Sequence, residues 1–162
     1  MWVSTIAPFV DTNNLSLVTL VSYGGFAILF PGDLERAGWS RLLADQPRLR
    51  WWLPQVNVFV TSHHGRDNGC SDDLFNGWRP QLFVISDAVV QHGTQQTGDW
   101  YRNRASGANV IRPPSIVNEL RRQLTNQEQR FVVTTRNDNS MQFNVQANGH
   151  WTCQIGINHT RS

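Results

Sequence analysis

Three short stretches, residues 26–30, 56–61 and 82–85, are almost wholly apolar, and each runs directly into a polar loop. Runs this short suit strands rather than helices, and with so few polar positions they read as strands buried in a sheet. A chain carrying three of them is expected to build a layered α/β sheet. The loops that follow the strands then gather at one edge of that sheet, where open α/β folds place their sites.

The segments between them supply the other layers. Residues 15–23 read as a strand joined to 26–30 through Gly24-Gly25, a two-residue hairpin signal. Residues 34–44 set Leu34, Trp39, Leu42 and Leu43 at near-helical spacing, with Glu35 in the first turn and Arg41 toward the end, as the helix dipole prefers. Ser71, followed by Asp72 and Asp73, marks the N-cap of a second helix through Trp78. A third helix is expected over 95–105 and a strand over 108–111, before Pro113-Pro114 breaks the pattern. Residues 115–124 read as an amphipathic helix with Arg121 and Arg122 outward, and 2–9 as a further strand ahead of the hairpin. The end of the chain changes character: 131–135, 141–146 and 151–155 read as strands joined by Asn, Asp and Gly turns, an antiparallel meander. With 162 residues, 40% of them hydrophobic, and no internal repeat, there is material for one sizeable core. The expectation is a single α/β domain over 1–157 and a frayed polar tail over 158–162.

Charge and cysteine usage narrow the function classes. All 14 basic residues are arginine and meet 12 acids, so the formal net charge of +2 does not announce a nucleic-acid protein. Arginine suits bidentate anion recognition, and its exclusive use equally fits a GC-rich coding sequence. No apolar stretch approaches the roughly 20 residues that span a bilayer. Cys70 and Cys153 lie far apart, form no CxxC or Cys/His zinc spacing, and leave their pairing open. Free thiols in a reducing cytoplasm are the default expectation.

Polar clusters at the strand ends are the candidates for chemistry. Asp33 follows Phe30-Pro31-Gly32 and reads either as a helix N-cap or as a metal or catalytic carboxylate. His63-His64-Gly65-Arg66 follows the second apolar stretch, and imidazole is the commonest metal ligand. Adjacent histidines in a loop point in different directions, so one can ligate metal while the other contacts substrate or supports the site. His92, after Ser86-Asp87, reads as a general acid, a phosphate contact or a plain loop residue. Arg66, Arg102 and Arg104 are available to phosphates or to a solvated face. Trp51-Trp52 and Trp78 read as core residues or as exposed anchors for a partner.

Taken together, Asn14-Leu15-Ser16-Leu17-Val18, Leu29-Phe30-Pro31-Gly32-Asp33-Leu34-Glu35, His63-His64-Gly65-Arg66 and Val84-Ile85-Ser86 resemble the second half of metallo-β-lactamase-fold hydrolases, in the competence-protein (ComEC-like) branch. The resemblance covers roughly residues 3–112. It implies part of an αββα sandwich with mixed sheet topology. It implies Asp33 as a ligand bridging two divalent metal ions, zinc or alternatively manganese. It also implies His64, with His63 beside it, as a further ligand, His92 as a substrate or leaving-group contact, and Arg66 as a substrate contact. The family's His-x-His-x-Asp-His motif is absent from this sequence. Catalytic zinc takes three protein ligands plus water, so the resemblance implies a site completed by an N-terminal half or a second chain. A chain starting almost directly on a strand points the same way, to truncation or a split gene. The implied activity is metal-dependent hydrolysis of a phosphodiester, with DNA or RNA among the substrates. The alternatives are hydrolysis of a lactone, thioester or β-lactam, and a metal-free degenerate domain that binds protein or nucleic acid.

Overall fold

The computed structural model describes residues 11–90, 93–112 and 126–157. The expected strand over 2–9, the helix over 115–124, the tail over 158–162 and His92 lie outside those residues. In chain order the strands are β1 (Thr19–Tyr23), β2 (Phe26–Phe30), β3 (Val58–Val60), β4 (Leu82–Ile85), β5 (Ala108–Arg112), β6 (Asn126–Arg130), β7 (Val132–Thr134), β8 (Ser140–Val145) and β9 (Trp151–Ile157). The helices are α1 (Arg36–Asp45), α2 (Leu49–Trp52), α3 (Gly98–Arg102) and α4 (Thr135–Asp138).

The strands form a five-stranded sheet, β1-β2-β3-β4-β7, and a four-stranded sheet, β6-β5-β9-β8. In the first, β2, β3, β4 and β7 are parallel and β1 is antiparallel to β2. Each apolar run divides its side chains between two cores, because successive residues of a strand point to opposite faces. Val58, Leu82 and Val84 meet Val110, Cys153 and Ile155 of the second sheet. Phe59, Phe83 and Ile85 meet Trp39, Leu43, Phe75 and Tyr101 of the helical layer. This explains why the runs carry no polar alternation: both faces of the sheet are covered. The architecture is the expected α/β sandwich with mixed sheets. The outward positions Asn109, Gln142 and Asn144 of the second sheet, itself mixed, are polar and exposed, as a sheet face turned to water requires.

The hairpin forms where Gly24-Gly25 predicts it. Gly24 has φ +59, and a Cβ there would lie 2.7 Å from the Ala147 carbonyl oxygen in the turn between β8 and β9, so only glycine fits. The C-terminal strands are also present, and at Phe131 the chain crosses from β6 in one sheet to β7 in the other.

Three elements are shorter than their sequence pattern. The strand expected from residue 15 starts at Thr19, because Thr12–Leu15 closes a 3-10 turn whose cap, Asp11, accepts from the Asn13 N–H at 2.9 Å. The helix expected over 71–78 contracts to a 3-10 turn at Asp73–Phe75 that drives Phe75 against Phe59, with ring centroids 5.1 Å apart. Trp78 is buried there, with Nε1 donating to the Leu74 carbonyl, and does not serve as an exposed anchor. The helix expected over 95–105 spans only Gly98–Arg102, since the chain must leave it for Ser106 and Gly107 to donate to the Pro80 and Gln81 carbonyls. Cys70 sits in the helical core and Cys153 between the sheets, on opposite faces of the five-stranded sheet, and both are free thiols. Among the described residues no helix is long and apolar enough to cross a membrane.

Candidate functional site

Because β2, β3 and β4 are parallel neighbours, the loops after them emerge side by side. Asp33 follows β2, the His63-His64 turn follows β3, and Ser86-Asp87 follows β4. The loops are tied together by backbone bonds from the His63 N–H to the Gly32 carbonyl (3.0 Å) and from the Thr61 N–H to the Val84 carbonyl (2.8 Å).

Asp33 does not cap α1. The cap position is Glu35, whose side chain makes no capping bond. The exposed amides at the helix start are met from outside, by the buried Asn14, whose Oδ1 accepts from the Glu35 N–H (3.2 Å) and the Gly38 N–H (2.9 Å). Gly32, at φ +61, turns the chain after β2, and Ser16 Oγ accepts from the Asp33 N–H at 3.0 Å. The Asp33 carboxylate is thereby released toward the neighbouring loop.

His63 and His64 both occupy the left-handed region, at φ +49 and +54. For residues other than glycine that costs about 1–2 kcal/mol each. Specific contacts hold the turn: Trp39 Nε1 donates to Ser62 Oγ at 2.9 Å, and Thr97 Oγ1 donates to the Gly65 carbonyl. The conformation sends the two rings apart, with centroids 6.5 Å apart and planes at 58°.

The buried His63 turns toward the start of α1. Its Nδ1 donates to Asn68 Oδ1 (3.0 Å) and lies 3.2 Å from Glu35 Oε1, which also accepts from Asn68 Nδ2 (2.7 Å) and Asn13 Nδ2 (3.2 Å). His64 is exposed. Its Nδ1 lies 2.7 Å from the Ser86 carbonyl, which can only accept, so Nδ1 carries the proton and donates. Its Nε2 lies 3.5 Å from Asp33 Oδ1. The structure therefore brings Asp33 and His64 together and separates His63 from them. Among the described residues no three His, Cys, Asp or Glu side chains gather into one metal-sized group.

Beside His64 lies a shallow pocket of about 320 Å³ lined by Arg66, Ser86, Asp87, Val89 and Gln95. Arg66 Nε is buried with no hydrogen-bond partner among the described atoms. Asp87 is buried and ion-paired to Arg136 Nη1 at 2.8 Å, which offsets its charge beneath the pocket. Arg104 is occupied by Asp72 and by the Trp100 ring, 3.8 Å from its guanidinium carbon. The sequence assigned no site role to Glu35, Asn68 or the Ser86 carbonyl. Only the Asp33-x-Glu35 spacing hinted at the first, and Ser86 acts through a backbone carbonyl that no residue type signals.

Comparison with known proteins finds no matching family model, no similar curated protein and no similar solved structure.

Proposed function

We propose that Asp33 and His64 are two protein ligands of a divalent metal site, zinc or alternatively manganese, in a hydrolase acting on phosphodiesters. The observation that carries this reading is the His64 ring. With Nδ1–H donated to the Ser86 carbonyl, Nε2 is the ring atom left to face the Asp33 carboxylate, 3.5 Å from its Oδ1. An imidazole nitrogen and a carboxylate oxygen at that separation can both reach one metal ion, and a backbone carbonyl on the far nitrogen is how ligating histidines are oriented.

The donor types fit zinc or manganese. A catalytic zinc needs three protein ligands and water, so we propose that an N-terminal half or second chain completes the shell, with His92 as a substrate or leaving-group contact. A bound metal of this kind supplies an acidified water and a Lewis acid for the developing charge. The chain's own contribution is to fix His64 by the Ser86 carbonyl, hold Asp33 in the Gly32 turn, and set the Arg66 guanidinium in the pocket wall for an anionic substrate. Arg66 favours a phosphodiester over the lactone, thioester or β-lactam alternatives, because a guanidinium matches phosphate geometry. The buried free thiols support placement in the reducing cytoplasm.

The test is metal content and hydrolysis of bis(p-nitrophenyl) phosphate by the protein isolated in its natural assembly. Stoichiometric metal that is lost in Asp33→Ala and His64→Ala, together with turnover, supports the reading. Metal content unchanged in both variants would overturn it. A metal-free assembly would instead leave a binding module.

A further inference from the structure

We infer that Thr135 is a positioning residue for His64, setting the direction of its ring through the peptide group that joins Ser86 to Asp87. The consequence for metal binding rests on the reading of His64 as a ligand; the orientation of the ring does not.

The Ser86 carbonyl that accepts from His64 Nδ1 and the N–H of Asp87 belong to one planar peptide unit, so they point in opposite directions and turn together. That N–H donates to Thr135 Oγ1 at 2.8 Å, and the same hydroxyl donates to the Asp87 carbonyl. Holding the N–H on one side aims the Ser86 carbonyl at His64 on the other.

The hydroxyl stands where a strand would otherwise continue. β4 and β7 run as parallel neighbours as far as Ile85 and Thr134, where β7 gives way to α4. Past that point the ladder ends, and Thr135 Oγ1 takes both main-chain groups of Asp87 in its place. The start of α4 is itself fixed: Thr134 Oγ1 accepts from the Asn137 N–H (3.0 Å), and the buried Asp138 accepts from the Thr134 N–H (3.0 Å). A second tie comes from the next residue, since Arg136 Nη1 lies 2.8 Å from the Asp87 carboxylate, whose side chain is only 1% exposed. Two consecutive residues of α4 thus grip Asp87, one by its main chain and one by its side chain.

The His64 side chain is 55% exposed, so packing does not fix its ring and the bond to Ser86 must. Which nitrogen of a neutral imidazole carries the proton follows from the hydrogen bonds it makes. Free imidazole side chains in water favour the proton on Nε2, so the carbonyl is what keeps it on Nδ1 and leaves Nε2 for Asp33. Without the Thr135 hydroxyl the peptide unit can rotate and carry that acceptor away.

The test is the long-range proton–nitrogen spectrum of the histidine rings in the full chain, recorded without metal at about pH 9, above the ordinary imidazole range. Loss of signals in His64→Gln identifies the ring. Wild-type His64 is expected to carry its proton on Nδ1. Thr135→Val, which keeps the shape and removes the hydroxyl, is expected to shift His64 toward the Nε2–H form, and Thr135→Ser to restore it. Thr135→Ala repeats the deletion should the valine variant not fold. His63, bonded to Asn68, should keep its spectrum throughout, which separates loss of the clamp from collapse of the turn. In the completed assembly Thr135→Val should weaken metal binding about 10–100-fold. A wild-type ring protonated on Nε2 overturns the inference, as does a His64 signal unmoved by loss of the hydroxyl, a shift that serine does not reverse, or an equal shift of His63. Because the spectra need no metal, an assembly found without metal removes the ligand reading and leaves this inference standing.

Discussion

Asp33 Oδ1 stands 3.5 Å from His64 Nε2 because two parallel strands end side by side and each is followed by a left-handed turn. Gly32 adopts that turn freely, whereas His63 and His64 adopt it at a cost that Trp39, Thr97 and the Ser86 carbonyl offset.

The two histidines are expected to behave differently under substitution. The 162-residue chain alone, with only the two proposed ligands Asp33 and His64, should bind zinc weakly by calorimetric titration. In the completed assembly Asp33→Ala and His64→Ala should each abolish stoichiometric binding. His63→Ala, which removes a group that only positions the turn through Glu35 and Asn68, should weaken binding about 10–100-fold without abolishing it. Equal loss from His63→Ala and His64→Ala would contradict the division of roles.

What was legible in the sequence is what short-range pattern encodes. The apolar runs at 26–30 and 82–85 became strands with those bounds, since burial on both faces leaves no polar position to blur them. The loops after them were recognisable as neighbours because parallel strands bring their ends together. What was not legible depended on partners distant in sequence. Asn14 takes the capping role that local pattern offered to Asp33, and Phe75 and Trp78 follow an aromatic core rather than a helical period. The division of 126–134 between two sheets is likewise set by which strands β6 and β7 meet.

Trp39 couples the helical core to the site turn. Trp39→Phe keeps a ring in the fully buried slot, deletes the donor to Ser62 Oγ, which is itself fully buried, and leaves part of the indole's volume empty. The hydroxyl left without that donor should cost about 1–3 kcal/mol in urea denaturation. Zinc binding in the completed assembly should weaken together with stability, because the same bond holds the His63-His64 turn.

Asp138 stitches the two sheets where the chain changes between them. Its buried carboxylate accepts from Arg112 of β5 (2.9 Å), Arg130 of β6 (3.0 Å) and the Thr134 N–H of β7 (3.0 Å). Asp138→Ala leaves that amide without its acceptor and the two guanidinium groups sharing Glu128 alone. With both arginines partly exposed, the loss should be about 2–3 kcal/mol, read as a lowered midpoint in thermal or urea unfolding. A change within a few tenths of a kcal/mol would show that water replaces the carboxylate.

Cys153 provides a pH signature of the inter-sheet core. Burial, with a smaller contribution from the negative charge of Asp138, raises its thiol from the ordinary value of 9.0 to about 12. Below pH 9 the thiol is neutral in both folded and unfolded chains and contributes no pH dependence. Between about pH 9 and pH 12 the unfolded chain releases the proton while the folded chain keeps it, so the unfolded state binds fewer protons and stability falls as pH rises. Burial raises Cys70 and Tyr101 in the same direction. The stability difference between wild type and Cys153→Ala should therefore be constant up to about pH 9 and shift against the wild type above it. Folded protein at pH 8 should also leave both thiols unreactive toward a chromogenic disulfide until denaturant is added, because the thiolate is the reacting species. A pH-independent stability difference, or rapid labelling of Cys153 in the folded chain, would mean that water reaches the space between the sheets.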